Sequence, residues 1–320
     1  MGRGMDGAGG AQRVGSRFMK NPRWLDGEAL SRVLTPRLAL GGIQRAVVGG
    51  HHLESIRWHF ESGAGSALVM MADDPERALS LQKTLYVRTN QRPSLPGFVA
   101  VSDLERGTPL AFLDGAVFTG IRTAAIAAYA THAFAAARAR QALLGAGFEA
   151  LYHARALADL GGMEALTLWN RTSERAQALA ARLREEPELQ GVDIRVAADA
   201  AQAVSRADVV TTVTGSPLPV LAEDGLGETV LINAMGSYRP TDREVDGPVL
   251  QGARIIVDTP SAILEAGELV LGKAEGYVAE PILHLWESDA LGPRPGRTVM
   301  KSVGAAFYDL AVAAALLEVL

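Results

Sequence analysis

Between Ala142 and Ala150 the chain reads Ala-Leu-Leu-Gly-Ala-Gly-Phe-Glu-Ala, so two glycines fall where an apolar strand gives way to a helical run. Few residues are tolerated at such a corner. Gly145 permits a tight turn, and Gly147 lets the main chain approach a bound pyrophosphate. The small third position, Ala150, lets helix and strand pack closely. The backbone N–H groups of Ala146, Phe148 and Glu149 then face a phosphate at the helix N-terminus. Gly-x-Gly-x-x-Ala is weak alone, because Gly-rich turns are common in a chain with 34 glycines. It gains weight from the apolar, extended run Glu164–Trp169, which completes a strand-helix-strand unit of the right length.

The residues after that second strand bear on the choice of dinucleotide. A carboxylate there would accept from ribose hydroxyls, whereas this chain has Asn170-Arg171-Thr172-Ser173. A guanidinium with hydroxyls suits a 2′-phosphate, which favours NADPH. The competing reading is that Arg171 merely caps a solvated turn and Ser173 starts the next helix.

Composition limits the rest. A 320-residue chain that is 48% hydrophobic buries a large core and suggests two domains. A net charge of −5 without a long basic run gives no footprint for nucleic acid. The absence of cysteine excludes disulfides, thiolate metal sites and a cysteine nucleophile, in keeping with a cytoplasmic protein. No apolar run reaches membrane-spanning length, and the opening lacks the apolar centre of a signal peptide. Residues 1–20 read as a mobile Gly/Arg leader.

The pattern along the chain is discontinuous. Residues 21–135 mix short strands such as Gly97–Ser102 and Leu110–Leu113 with turn signals, giving an α+β unit. A long Ala-rich helix from Arg122 to Arg138 leads out of it. Over 136–294, strands and helices alternate through Ser173–Arg184, Asp208–Val213, Thr229–Ala234 and Arg254–Asp258, which argues for a doubly wound parallel sheet. Residues 295–320, with a helix from Ser302, return to the first unit. Ligands in such sheets sit beyond the carboxyl ends of the strands. Thr214 and Gly215 are placed to approach the nicotinamide ribose; Met235, Gly236 and Ser237 are placed to face the ring.

Five stretches together resemble the ornithine cyclodeaminase/μ-crystallin family across roughly residues 55–315. They are Leu113-Asp-Gly to Arg122-Thr-Ala-Ala, the Gly145-Ala-Gly147 loop, Thr211–Pro217, Ile232–Gly236 and Lys301-Ser-Val-Gly304. The first and last are the most specific. The resemblance implies an α/β fold in which a Rossmann domain is inserted in an α+β substrate-binding and dimerisation domain, with the site in the cleft between them. It also implies a homodimer that works on small α-imino or α-amino acids. Arg122 matches the family's carboxylate-binding arginine, Lys83 its active-site lysine, and Arg57 lies where the family has another arginine. Glu265 resembles a family acid and either faces the imine nitrogen or is an exposed helical residue. Asp309 matches an acid that orients active-site groups or simply pairs.

One position separates activities within the family. Its cyclodeaminases carry an Asp two residues before the proline of the loop after the Asn-Ala strand, and here that position is Tyr238. A phenol, which ordinarily ionises at about pH 10, is a poor base at neutrality. Gly236-Ser-Tyr-Arg-Pro240 and Trp169-Asn-Arg-Thr172 instead resemble the μ-crystallin and bacterial ketimine-reductase branch. The resulting expectation is NADPH-dependent reduction of a cyclic ketimine carboxylate, such as Δ1-piperideine-2-carboxylate or Δ1-pyrroline-2-carboxylate. The rivals are an ornithine or lysine cyclodeaminase, an N-substituted amino-acid dehydrogenase, and a non-catalytic NADPH-binding protein. No metal site is expected: His51-His52 are adjacent residues whose side chains point apart, and His153 reads as a packed polar residue.

Overall fold

A computed structural model describes residues 21–48, 55–62, 65–88, 93–135, 139–272, 279–281 and 292–320. The leader expected over 1–20 and His51-His52 lie outside these residues. The first unit holds β1 (Arg23–Leu25), β2 (Ser55–Ser62), β3 (Gly65–Asp74), β4 (Leu79–Val87), β5 (Gly97–Asp103) and β6 (Thr108–Asp114). They form one sheet in the order β1-β6-β5-β4-β3-β2, antiparallel except for the β1/β6 pair. Alternation sorts its faces: Leu81, Lys83 and Leu85 of β4 point inward, whereas Gln82 and Tyr86 are exposed. Two helices, α1 (Gly27–Val33) and α2 (Pro36–Val48), link β1 to β2. The inner face is covered by the C-terminal helix Ala306–Val319 and by the helix that follows β6, and α2 packs on the far side of both.

The long helix α3 (Gly115–Phe134) starts two turns before the expected Arg122. The Asp114 carboxylate caps it, accepting from the Val117 N–H at 2.8 Å. Residues 136–138, the expected helix end, lie outside the described residues. Every residue of α3 except His132 is buried, because the helix runs between the two units and is apolar all round.

The second unit is an eight-stranded, wholly parallel sheet. Its strands are β7 (Ala139–Leu144), β8 (Met163–Trp169), β9 (Asp193–Val196), β10 (Val209–Thr212), β11 (Val230–Ala234), β12 (Arg254–Val257), β13 (Ala279–Pro281) and β14 (Arg297–Lys301). The order β13-β12-β14-β11-β10-β7-β8-β9 reverses beside β7, which opens a crevice between the carboxyl ends of β7 and β10. The doubly wound expectation holds. The boundary drawn at 294/295 does not fit β14, which sits inside this sheet between β11 and β12. Its parallel partners lie far off in sequence, so nothing local marks the five residues as a central strand. The chain crosses to the first unit after Lys301, and the C-terminal helix packs there against α2, β3 and β4.

Candidate active site

The glycine corner has the geometry a dinucleotide needs. Gly145 has φ +115°, and a Cβ there would lie 2.7 Å from the Val213 carbonyl oxygen. Its N–H donates to the Trp169 carbonyl at 2.8 Å, locking the ends of β7 and β8 together. Gly147 is the N-cap of α4 (Phe148–Gly161), has no side-chain cap and faces open space. The first turn of α4 therefore presents uncapped N–H groups to the crevice. Ala150 is fully buried, as its role in close packing requires, and Phe148 packs on Tyr152 with ring centroids 5.2 Å apart.

Asn170 braces this corner rather than pointing at solvent. Its Oδ1 accepts from the Ala146 N–H at 3.1 Å, and its Nδ2 donates to the Thr172 carbonyl at 2.9 Å. Arg171 and Thr172 are exposed at the same rim, and Thr172 caps Ser173–Leu183 without a side-chain bond. No hydrogen bond or ion pair holds the Arg171 guanidinium among the described residues.

The cations meet at the inner end of the crevice. Arg57 and Lys83 both stand opposite Met70 in the β2-β3-β4 ladder, so they share the inward face two strands apart. Lys83 is buried with Nζ 2.5 Å from Asp309 Oδ2, and Arg122 Nε lies 2.7 Å from Asp309 Oδ1. One buried carboxylate thus fixes both cations, and the terminal nitrogens of Arg122 have no acceptor among the described residues. Burial pulls the Lys83 pKa down, with Arg122 and Arg57 adding to the fall and Asp309 opposing it, to about 7. Arg57 is held by the Glu265 carboxylate and by the Val303 and Gly304 carbonyls. Arg57, Lys83 and Arg122 line a pocket of about 100 Å³ that is open to solvent, together with Leu68, Met70, Leu85, Met235, Gly236 and Glu149.

Gly304 shows how closely the walls approach. It has φ +74°, and a Cβ would sit 2.8 Å from Arg122 Nη1. Its loop is pinned by Asp258, which accepts from Ser302 Oγ at 2.6 Å and from the Gly304 N–H at 2.6 Å.

A second buried network, unmarked in the sequence, supports the crevice floor. Glu244 is fully buried and accepts from Thr212 Oγ1, the Thr214 N–H and Oγ1, and the Gly236 N–H at 2.6–2.8 Å. Glu268 accepts from the Glu244 N–H at 2.8 Å and from Ser237 Oγ at 2.7 Å, and pairs with Lys301 Nζ at 3.2 Å. Lys301 also donates to the Ser237 carbonyl at 2.7 Å.

Lys83, Arg122 and Arg57 therefore converge, while Glu265 holds Arg57 and does not line the pocket. Gly145, Ala146, Gly147, Phe148, Glu149, Asn170, Arg171, Thr172, Gly215, Met235 and Gly236 lie along the crevice or its rim. The Thr214 and Ser237 hydroxyls are committed to Glu244 and Glu268, so these residues support the floor through their side chains. Asp309 takes the orienting position. His153 is fully buried, with both ring nitrogens unpartnered, and burial lowers its pKa to about 3, with Arg122 adding to the fall. Tyr238 lines the pocket and stacks on His59 at 5.8 Å. Sequence reasoning missed Glu244, Glu268 and the buried Thr119, none of which carries a spacing signal.

Residues 51–319 match the ornithine cyclodeaminase/mu-crystallin family. The chain is 34% identical over 274 residues to a Δ1-pyrroline-2-carboxylate reductase of Bacillus cereus, covering 81% of this chain and 83% of that protein. It is 35% identical over 231 residues to the ketimine reductase mu-crystallin of Rattus norvegicus, covering 70% and 69% respectively. The solved Thermococcus litoralis Δ1-pyrroline-2-carboxylate reductase, in complex with NADH and L-proline, shares the fold. Its TM-score is 0.83 at 22% identity, over 92% of this chain and 96% of that one.

Proposed function

Because the chain belongs to the ornithine cyclodeaminase/mu-crystallin family, we propose that it is an NADPH-dependent reductase of cyclic ketimine carboxylates. Its substrates are of the Δ1-pyrroline-2-carboxylate or Δ1-piperideine-2-carboxylate type, and its products are the cyclic amino acids. The observation that carries this reading is the Lys83–Asp309–Arg122 cluster, which faces the pocket just beyond the dinucleotide crevice.

The residues fit a nicotinamide dinucleotide. The open cradle at Gly147 and the uncapped start of α4 suit a pyrophosphate, and the unpaired Arg171 at the rim suits a 2′-phosphate. When bound, the reduced nicotinamide supplies the hydride. The chain does the rest. Arg122 offers its two terminal nitrogens as a fork for the substrate carboxylate, which fixes the orientation of the imine carbon. Lys83, poised to ionise near neutrality, holds the proton that a neutral imine takes up. Imine, hydride and proton together make the amine, so no further acid is required. Leu68, Met70 and Leu85 exclude water around the reacting bond. Tyr238 occupies the position at which the family's cyclodeaminases carry a carboxylate, which favours reduction over ammonia elimination.

The test is consumption of NADPH or NADH, followed by absorbance, against cyclic ketimines, pyruvate with ammonia, and ornithine. Loss of NADPH with the cyclic imino acids alone is the expected result. Release of ammonia from ornithine with NAD and no net coenzyme turnover would overturn the reading.

A further inference from the structure

The pocket is not uniformly cationic. Against Arg57, Lys83 and Arg122 it sets one acidic lining residue, Glu149. Glu149 lies in the first turn of α4, so its N–H belongs to the pyrophosphate corner while its side chain reaches the substrate pocket. No hydrogen bond or ion pair engages its carboxylate among the described residues. Beside it on the α3 wall is Thr119, one turn before Arg122, which is 6% exposed and whose hydroxyl also lacks a partner. Burial raises the Glu149 pKa, while the nearby Arg122 and Lys83 pull it down and Glu244 raises it further. Glu149 is half-buried, so its carboxylate is open to the pocket, and a ligand that brings a donor gains a charge-assisted hydrogen bond there.

The polarity of the pocket matches a zwitterion. A cyclic imino or amino acid has a carboxylate on C2 and, one bond away, a nitrogen that carries a positive charge and an N–H. We infer that Glu149 accepts the hydrogen bond from the substrate's charged nitrogen, once that nitrogen is protonated, while the substrate carboxylate rests on Arg122. This inference rests on the imino-acid reading above and deepens it. Glu149 then selects nitrogen heterocycles over carboxylates of the same shape that lack the N–H. No bond to Glu149 is made or broken, and the nitrogen keeps its proton as hydride adds to C2.

The test compares L-proline with tetrahydrofuran-2-carboxylate, a ring of the same size whose oxygen cannot donate. Both are titrated calorimetrically into NADP+-saturated protein. Wild type should bind proline at least about tenfold more tightly, the size expected of a hydrogen bond to a charged group. In Glu149→Gln the preference should shrink several-fold, and in Glu149→Leu it should vanish, with binding of the ether acid within about twofold of wild type in both. NADP+ binding by each variant shows that the fold persists. If both acids weaken equally, or if neither changes, the inference is overturned. Ketimine turnover by wild type is read separately: selective proline binding without turnover overturns the reductase reading and leaves Glu149 its role. Failure of wild type to bind either acid overturns both.

Discussion

Two residues carry decisions that a single substitution reads out. Arg171 has no protein partner among the described residues, which leaves its guanidinium open to the proposed 2′-phosphate contact. A charge-assisted contact of this kind contributes roughly 1.5–3 kcal/mol. Arg171→Ala should therefore raise the NADPH KM at least about tenfold and leave the NADH KM within about twofold; equal effects would argue against the phosphate contact. Lys83 is the group expected to set the pH dependence. Its ammonium form holds the proton the imine needs, so kcat/KM should be level below pH about 7 and fall as pH rises through it. Asp309 is the group that pulls this pKa back up, so Asp309→Asn should move the falling limb to lower pH. A limb that stays in place would show that another group titrates. Arg122 was legible because it stands in a recognisable stretch of sequence, whereas Lys83 and Arg57 were matched to family positions outside the most specific stretches, Arg57 in a poorly matching one. Glu244 was not, because one acid in Thr241-Asp-Arg-Glu244 looks like any solvated turn until the ends of β10 and β11 fold over it.

Elements reveal a different kind of legibility. The β7–α4–β8 unit was readable because its signals are local: an apolar strand, a glycine corner and a helix follow one another directly. The start of α3 was displaced by two turns because alanine-rich helix propensity does not show where a cap lies, and Asp114 caps a stretch that also reads as a strand end. Strand β14 was missed because its pairing is wholly non-local. The loop that follows it shows what such an element does for the site. Gly304 combines a left-handed backbone with a guanidinium against its α-carbon. Gly304→Ala should cost about 1 kcal/mol or more of stability from the backbone alone, seen as a lowered Tm. It should also push Arg122 off its line to the substrate, so kcat/KM should fall by more than about tenfold with coenzyme binding retained. A fall in Tm with unchanged kinetics would show that Arg122 does not depend on this contact.

At the scale of the molecule, the parallel sheet carries the glycine corner, the first sheet supplies Arg57 and Lys83, and the buried helix α3 between them supplies Arg122. None of the described helices is long and apolar enough to cross a membrane. The outer face of the first sheet is nevertheless apolar. On β2, Arg57 points toward the pocket while Ile56, Trp58 and Phe60 point the other way and are 49%, 50% and 54% exposed, with Tyr86 of β4 beside them at 40%. β2 is also a sheet edge. Three large apolar side chains in a row on an edge strand form a contiguous patch of the kind that marks an association surface. A second copy of the chain is the partner that fits the resemblance-based expectation of a homodimer, because a two-fold axis apposes the same patch on both subunits. Light scattering on wild type should then give twice the chain mass of 33.8 kDa. Trp58→Glu with Phe60→Glu would bury like charges at the axis and should return the monomer mass, while Lys83 and Arg122 on the opposite face keep the pocket assembled. A wild type that is monomeric at micromolar concentration, or a charged variant that stays dimeric, would place the interface elsewhere and leave the exposed β2 face unexplained.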